Sequence, residues 1–138
     1  MTQDELISSA ESKIISAYFL AGGERYDDAI YLCGYAVEFL LKAIVCKSRN
    51  LSQYPENEKN HKTHKTDLLV DLANIRPLLE ARILSDADFM LNWSISTVWS
   101  PELRYNPPAQ DAKEQWEEMI EALMHPTKGV VTWLKSLL

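Results

Sequence analysis

The sequence has 138 residues, of which 46% are apolar and 25% charged, and its net charge is −6. This length suits a single domain that buries a core without disulfides or metal, and the composition is too hydrophobic for a disordered chain. The acidic balance argues against a protein that coats nucleic acid through a broad cationic surface.

The charge is unevenly distributed along the chain. From Lys42 to Lys65 there are six basic and two acidic residues, a net charge of +4, which leaves −10 for the rest of a chain with a total of −6. Two interpretations stay open. The segment forms a basic patch for a phosphate-bearing or acidic partner, or it is a solvated helix end and loop.

The N-terminal residues predict a cytoplasmic protein. They are acidic and polar, and they lack the basic start, apolar stretch and cleavage site of a signal peptide. No apolar run approaches the roughly 18 residues of a membrane span. Cys33 and Cys46 should lie about 20 Å apart on one helix, which is too far for a disulfide.

Two long helices are predicted in the first third of the chain. The first should run from Gln3 to Ala21, with Thr2 and Glu5 forming a capping box at its start. The second, from Tyr26 to Lys47, is apolar around most of its circumference. Such a helix has neighbours on most sides, so it should be the central helix of a bundle.

The middle of the chain predicts a loop followed by two shorter helices. Residues Ser48 to Lys65 are polar, contain Pro55 and lack periodicity, so they should form a long exposed loop. A third helix is predicted near Thr66 to Arg82, kinked or split at Pro77. A fourth should run from Ser85 to Thr97.

The last third predicts a loop and one closing helix. Three prolines between Val98 and Pro108 forbid continuous helix there. The apolar phase from Ala109 to Leu138 continues across Pro126, which predicts one kinked helix rather than two unrelated ones. Because strand patterns are lacking, the fold class is all-α, with residues 1–138 in one domain.

The sequence lacks the usual catalytic signatures, namely a Gly-rich phosphate loop, a G-x-S-x-G elbow, H-E-x-x-H and a Cys-x-x-Cys pair. His61, His64 and Asp67 are spaced so that they would offer three zinc ligands if the third helix began early. The alternative is that the histidines are solvent-exposed or cap the next helix. No metal or cofactor is predicted.

Two pairs of residues are candidates for a binding site. Glu38 and Lys42 are four positions apart in the most apolar helix, so they form an ion pair or line a cleft in which Lys42 meets an anionic group. Arg104 and Tyr105 lie on a proline-stiffened segment. Arg104 suits a phosphate and Tyr105 a stacked base, but Arg104 could equally pair with Glu38. The four tryptophans are predicted to be core or interface anchors: Trp93, Trp99, Trp116 and Trp133.

The second helix, RYDDAIYLCGYAVEFLLKAIVCK, resembles the A-x-x-L-x-x-x-A-x-E-x-x-L-K-A pattern of the HEPN family (higher eukaryotes and prokaryotes nucleotide-binding). The matching positions are Ala29, Leu32, Ala36, Glu38, Leu41, Lys42 and Ala43. The segment HKTHKTDLLVDLA resembles the threonine-histidine segment of the family, WSPELRY its arginine-tyrosine element, and residues 112–138 its closing helix. The resemblance covers nearly the whole chain.

This resemblance implies an antiparallel, up-and-down bundle of four or five helices that forms a homodimer, with a cleft near the second and last helices. HEPN ribonucleases use an R-x4-6-H motif at the dimer seam and need no metal. Counted from Arg104, the histidine positions hold Ala109, Gln110 and Asp111. His125 should lie roughly 24 Å further along the closing helix, too far to replace it.

Three functions are therefore weighed. The first is a non-catalytic HEPN homodimer that binds a nucleotide or RNA phosphate around Arg104, Tyr105, Glu38 and Lys42, or that serves as partner to a minimal nucleotidyltransferase in a toxin-antitoxin-like pair. The second is a metal-independent ribonuclease toxin with a rearranged active site. The third is a structural dimerisation scaffold. Because the general base is missing, catalysis is not expected.

Overall fold

The computed structural model describes all 138 residues, and it confirms the predicted all-α class. Seven α-helices and one 3-10 helix form a bundle without strands. The α-helices are α1 Gln3–Gly22, α2 Tyr26–Ser48, α3 Thr66–Leu72, α4 Arg76–Ser85, α5 Ala87–Thr97, α6 Ala112–Met124 and α7 Val130–Ser136; the 3-10 helix, between α5 and α6, is Pro101–Tyr105. There are more helices than the predicted four or five because two of the predicted helices are each divided.

The start of α1 is stabilised by the predicted capping box. The Glu5 N–H donates to Thr2 Oγ1 at 3.2 Å, and the Thr2 N–H donates to Glu5 Oε2 at 2.8 Å. The buried residues of α1 recur every three or four positions and pack on α2: Leu6, Ala10, Ile14 and Ala17. Because only three residues connect α1 to α2, the two helices run antiparallel.

Helix α2 is the central helix, as predicted. Thirteen of its 23 residues are buried, and it packs against α1, α3, α5, α6, α7 and the 3-10 helix. The expectation that no segment is long and apolar enough to span a membrane was wrong for α2, whose mean hydropathy reaches 1.8. In this fold 72% of the 18-residue segment that gives this value is buried. The core helix of a soluble protein can be equally long and apolar. Cys33 and Cys46 are both buried and free.

The predicted third helix is two helices, and Pro77 is not the cause of the break. Helix α3 ends at Leu72, and Asn74 then adopts a positive φ of 58°. Asparagine tolerates this left-handed conformation better than most residues, but a right-handed helix cannot continue through a residue that adopts it. Pro77 lies in the first turn of α4, where its missing N–H has no helical partner to lose.

Helix α5 begins later than predicted, and a short helix follows it. Asp86 caps α5 by accepting the Phe89 N–H at 3.1 Å, so the helix begins at Ala87 and not at Ser85. A hydrogen bond from Lys128 and the Phe89 N–H lower the pKa of Asp86 to about 2. The segment after α5, predicted as an irregular loop, contains the 3-10 helix, whose first residue is a proline.

The prediction of one kinked closing helix was wrong, because α6 and α7 are separated by five residues. His125 precedes Pro126 and has an extended ψ of 132°, as residues before proline favour. Its Nδ1 accepts the Lys128 N–H at 2.9 Å, which holds the connection in a tight turn. The apolar phase continued across the break because both helices bury side chains against α2. The spacing of the apolar residues therefore shows which side of each helix is buried, and not whether the helix is continuous.

The long loop between α2 and α3 is held by buried side chains. Tyr54 is buried, its hydroxyl donates to the His61 carbonyl at 2.7 Å, and its N–H donates to the Met1 carbonyl at 2.9 Å. His61 is also buried, which corrects the expectation that it is exposed or caps a helix. The guanidinium of Arg49 lies 2.6 Å from His61 Nε2. Because arginine can only donate, Nε2 accepts this hydrogen bond, and Nδ1 donates to the Lys59 carbonyl at 2.9 Å.

We predict that Gly129→Ala lowers the free energy of unfolding by about 1–3 kcal/mol. A Cβ at this position would lie 2.5 Å from the Leu123 carbonyl oxygen and 2.6 Å from that of His125, and these backbone atoms cannot move independently. Urea unfolding followed by tryptophan fluorescence measures the change. The matched control is Gly22→Ala, where nothing lies within 4 Å of the new Cβ and no loss is expected. Equal stability of the two variants would contradict the prediction.

Candidate functional site

A stripe of polar side chains runs along one side of the otherwise apolar α2. Its members are Tyr31, Tyr35, Glu38 and Lys42, which follow one another at intervals of four, three and four residues. These intervals place the side chains on one face of a helix. The two tyrosine hydroxyls lie 3.1 Å apart, and burial raises the pKa of Tyr35 to about 12. This stripe underlies the candidate site.

The predicted ion pair between Glu38 and Lys42 is present, and it is buried. Lys42 Nζ lies 3.0 Å from Glu38 Oε1, and both side chains are less than a tenth exposed. The ammonium group also lies 3.4 Å from Glu56 Oε1 and 5.0 Å from the centre of the Tyr54 ring. Lys42 is therefore enclosed by partners within the protein, which fits the ion-pair interpretation better than contact with an external anion.

His64 joins this ion pair to the surface. Its Nδ1 lies 2.8 Å from Glu38 Oε2, the carboxylate oxygen that Lys42 does not contact. Because a carboxylate accepts, Nδ1 is the donor, and Nε2 is left for other partners. The edge of the imidazole meets the ring of Tyr35, with the ring centres 6.3 Å apart. The side chain is 54% exposed, so a buried acid orients a histidine that solvent can reach.

A cleft of about 910 Å³ opens beside His64. One wall is formed by residues 62–71, at the end of the long loop and in α3, and the other by residues 97–104. The charged side chains in its lining are Lys62, Lys65, Asp67, Asp71, Glu102 and Arg104. Two of the acids already have a cationic partner, because Arg76 lies 2.7 Å from Asp71 and 3.7 Å from Asp67. The cleft is therefore more favourable to anions than its charge count suggests.

Arg104 lies at the edge of this cleft, and its predicted contact with Glu38 is not formed. Its guanidinium donates to the Pro101 carbonyl at 3.2 Å and to the Tyr105 hydroxyl at 3.1 Å, and it lies 4.7 Å from the centre of the Tyr105 ring. The hydrogen bond to Tyr105, with a smaller contribution from Tyr31, raises the pKa of Arg104. Both Arg104 and Tyr105 are exposed. Glu38 pairs instead with the lysine on its own helix and with the loop histidine.

Trp99 fixes the second wall of the cleft against α2. Its indole Nε1 donates to the Tyr31 carbonyl at 2.9 Å, and its ring lies directly on Gly34. A Cβ at Gly34 would lie 1.9 Å from the indole ring, so only glycine permits this approach. All four tryptophans are buried, as predicted for core anchors.

The zinc alternative has no geometric basis in this fold. The rings of His61 and His64 have different partners, since His61 contacts Arg49 and His64 contacts Glu38. No group of three or more His, Cys, Asp or Glu side chains converges so that it could hold a metal ion.

Sequence reasoning missed the contacts of His64 with Glu38 and Tyr35, and its place beside Glu102 in the lining of the cleft. One signal was available, because the two tyrosines precede Glu38 by seven and three positions and therefore share its face of the helix. A second was the requirement that a carboxylate in an apolar helix be paired, which calls for partners from outside the helix. Nothing in the sequence, however, indicates which histidine of the loop supplies that partner.

Comparison with known proteins identifies the architecture but not the ligand. The family model described as HEPN domain matches residues 3–137, which is nearly the whole chain. No curated protein and no solved structure matches significantly.

We predict that Lys42→Met lowers the free energy of unfolding by about 3 kcal/mol, because it leaves a buried carboxylate without its main counter-charge. Urea unfolding at pH 8 measures the loss. Lys113→Met, which removes an exposed lysine on α6, serves as the control. The double variant Glu38→Gln/Lys42→Met should recover part of the loss, since no charge is then buried alone. Equal stability of Lys42→Met and Lys113→Met would refute this account.

Proposed function

Because the chain belongs to the HEPN domain family, we propose that it is a non-catalytic module that binds the phosphate of a nucleotide or an RNA in the cleft beside Arg104. The observation that carries this proposal is the exposure and fixed position of the Arg104 guanidinium. This group lies exposed at the cleft, and two hydrogen bonds hold it, one to the Pro101 carbonyl and one to the Tyr105 hydroxyl. A guanidinium has five N–H donors, so three remain for a ligand.

The surroundings of Arg104 favour an anion. Two lysines, Lys62 and Lys65, line the same cleft, and two of its three acids share one cationic partner, Arg76. Arginine binds phosphate through paired hydrogen bonds, and it loses little conformational freedom where its side chain is already held. A phosphate at the cleft would therefore meet a prepared donor and two exposed cations.

Tyr105 supplies a surface suited to a base. Its side chain is 74% exposed, and one part of the ring is engaged by the guanidinium of Arg104. Nucleic-acid bases stack on exposed aromatic rings, with a stabilisation of roughly 1–3 kcal/mol per base. Together, Arg104 offers donors to the phosphate of a nucleotide, and Tyr105 offers a ring on which its base can stack.

Binding without cleavage is the favoured activity, because the positions of the catalytic histidine are occupied by Ala109, Gln110 and Asp111. Without a base near Arg104 on that segment, a ribose hydroxyl has no group there to remove its proton. His125, the other histidine of this region, is engaged in the turn before α7. RNA cleavage by a rearranged site is the second candidate, and the observation in its favour is that His64 lines the same cleft as Arg104.

We predict that Arg104→Ala weakens binding of adenosine monophosphate and of a short oligoribonucleotide by about tenfold or more, since hydrogen bonds to charged groups contribute about 1.5–3 kcal/mol. Isothermal titration calorimetry measures the dissociation constants. Lys113→Ala, which removes an exposed cation outside the cleft, should leave binding unchanged. If the wild-type protein binds neither ligand, the proposal is wrong. If it degrades the RNA and Arg104→Ala does not, the second candidate replaces the first.

We further propose that the domain acts as a homodimer, with the exposed face of α5 and the residue after it as the contact. This face carries the apolar side chains Met90, Leu91 and Val98, of which Val98 is 81% exposed. Exposed apolar side chains grouped on one helix are typical of association sites.

Light scattering after gel filtration should give twice the chain mass of 15.8 kDa for the wild type, and Val98→Glu should give the monomer. Phe19→Glu replaces an equally exposed apolar side chain on α1, and it should leave the dimer intact. A wild-type protein that stays monomeric up to about 100 µM, well above a micromolar dissociation constant, would contradict this assignment.

A further inference from the structure

One side chain of the cleft combines free access with a fixed orientation. His64 is more than half exposed and lines the cleft, yet its Nδ1 is held by the carboxylate of Glu38 at 2.8 Å. Nε2 makes no hydrogen bond within the protein. A histidine held in this way presents one predetermined nitrogen to whatever enters the cleft.

Glu38 itself cannot contact a ligand. Its side chain is 4% exposed, and each of its two oxygens already has a partner, Lys42 on one and His64 on the other. It is therefore a positioning residue, and its effect on a ligand would act through the imidazole.

The proton on His64 changes the charge of the cleft by one unit. With a neutral imidazole, the lining holds three cations and three carboxylates: Lys62, Lys65, Arg104, Asp67, Asp71 and Glu102. Arg76, beside Asp67 and Asp71, adds a fourth cation, and protonation of His64 adds a fifth. Because the two charge states differ in their attraction for an anion, anion binding and proton uptake must be linked.

The titratable and charged groups around this imidazole come from every element that borders it. They are Tyr35, Glu38 and Lys42 on α2, Glu102 and Arg104 on the 3-10 helix, Asp67 and Asp71 on α3, and Lys62 and Lys65 on its own loop. Among these, only His64 is of a type that ordinarily changes charge between pH 5.5 and 8. A pH dependence of binding in this range would therefore be assigned to His64.

We infer that His64, oriented by Glu38, is a second phosphate-binding group of the cleft, and that it binds as the imidazolium by donating its Nε2–H to a phosphate oxygen. This inference rests on the proposed function and adds to it a residue and a pH dependence. The ligand class is the phosphodiester or phosphate of a nucleotide, with Arg104 and His64 as its two charged contacts.

The test uses ligands whose phosphate does not itself titrate in this range. Uridylyl-uridine, with a single diester phosphate, represents a small nucleotide, and a six-residue oligouridylate with a 5′ hydroxyl represents RNA. Calorimetry at pH 5.5 to 8 should show affinity rising as the pH falls, by at most about tenfold per pH unit, which is the limit for the uptake of one proton. Comparison of the two ligands shows which source of phosphate the cleft prefers.

His64→Gln separates the charge from the hydrogen bond. Glutamine keeps an N–H donor near the position of Nε2 but cannot gain a proton, so the variant should bind weakly at all pH values, with no dependence on pH. A readout on the wild-type protein avoids any folding defect of the variant. Ligand should move the midpoint of the His64 imidazole resonance in an NMR titration to higher pH, and it should leave His61 and His125 unchanged.

The outcomes separate the two proposals. No binding of either ligand by the wild type at any pH overturns both. Binding that is independent of pH, or whose pH dependence persists in His64→Gln, overturns the role of His64 and leaves the phosphate cleft standing. Binding that depends on pH in the wild type alone, together with the shifted His64 midpoint, supports the inference.

Discussion

The burial of one carboxylate in an apolar helix is the constraint on which the site depends. Glu38 lies in α2, which is surrounded by other helices, and an unpaired charge there would destabilise the fold by several kcal/mol. Each oxygen therefore has a cationic or polar partner, Lys42 from the same helix and His64 from the loop. The second of these bonds holds an exposed imidazole at a place that the loop alone would not determine.

The remaining contacts hold the two walls of the cleft in place around this carboxylate. On the loop side, buried Tyr54 and His61 anchor residues that would otherwise be a long, unstructured connection. On the other side, Trp99 ties the segment before the 3-10 helix to the backbone of α2. Since both walls are held by buried groups, a ligand in the cleft would need little reorganisation of the protein, which favours affinity.

Helices α1 and α2 could be predicted from the sequence because their signals are local. A capping box marks the start of α1, and the apolar periodicity of α2 extends over more than five turns. The division between α3 and α4 was predicted as a kink or split at Pro77, but its place depends on a positive φ at Asn74 that the sequence pattern did not indicate. At Pro126 the pattern was misleading, since two separate helices that face the same core keep a common apolar phase.

For the site, the sequence indicated the correct elements but not their pairing. It singled out Glu38, Lys42, Arg104 and Tyr105, and it related the first two correctly as an ion pair. It offered Arg104 as a partner of Glu38, whereas the partner is His64, 26 residues away in a segment without periodicity. Contacts of this kind depend on how a loop folds over a helix, and the spacing of residues does not encode that.

Gly34 is the only glycine of α2, and the indole of Trp99 lies directly on it. The distance between the central helix and the far wall of the cleft is thus set by the absence of a single methyl group. A larger residue at position 34 would push that wall outward and carry Arg104 with it. The distance between the Arg104 guanidinium and the His64 imidazole therefore depends on a residue that contacts neither group.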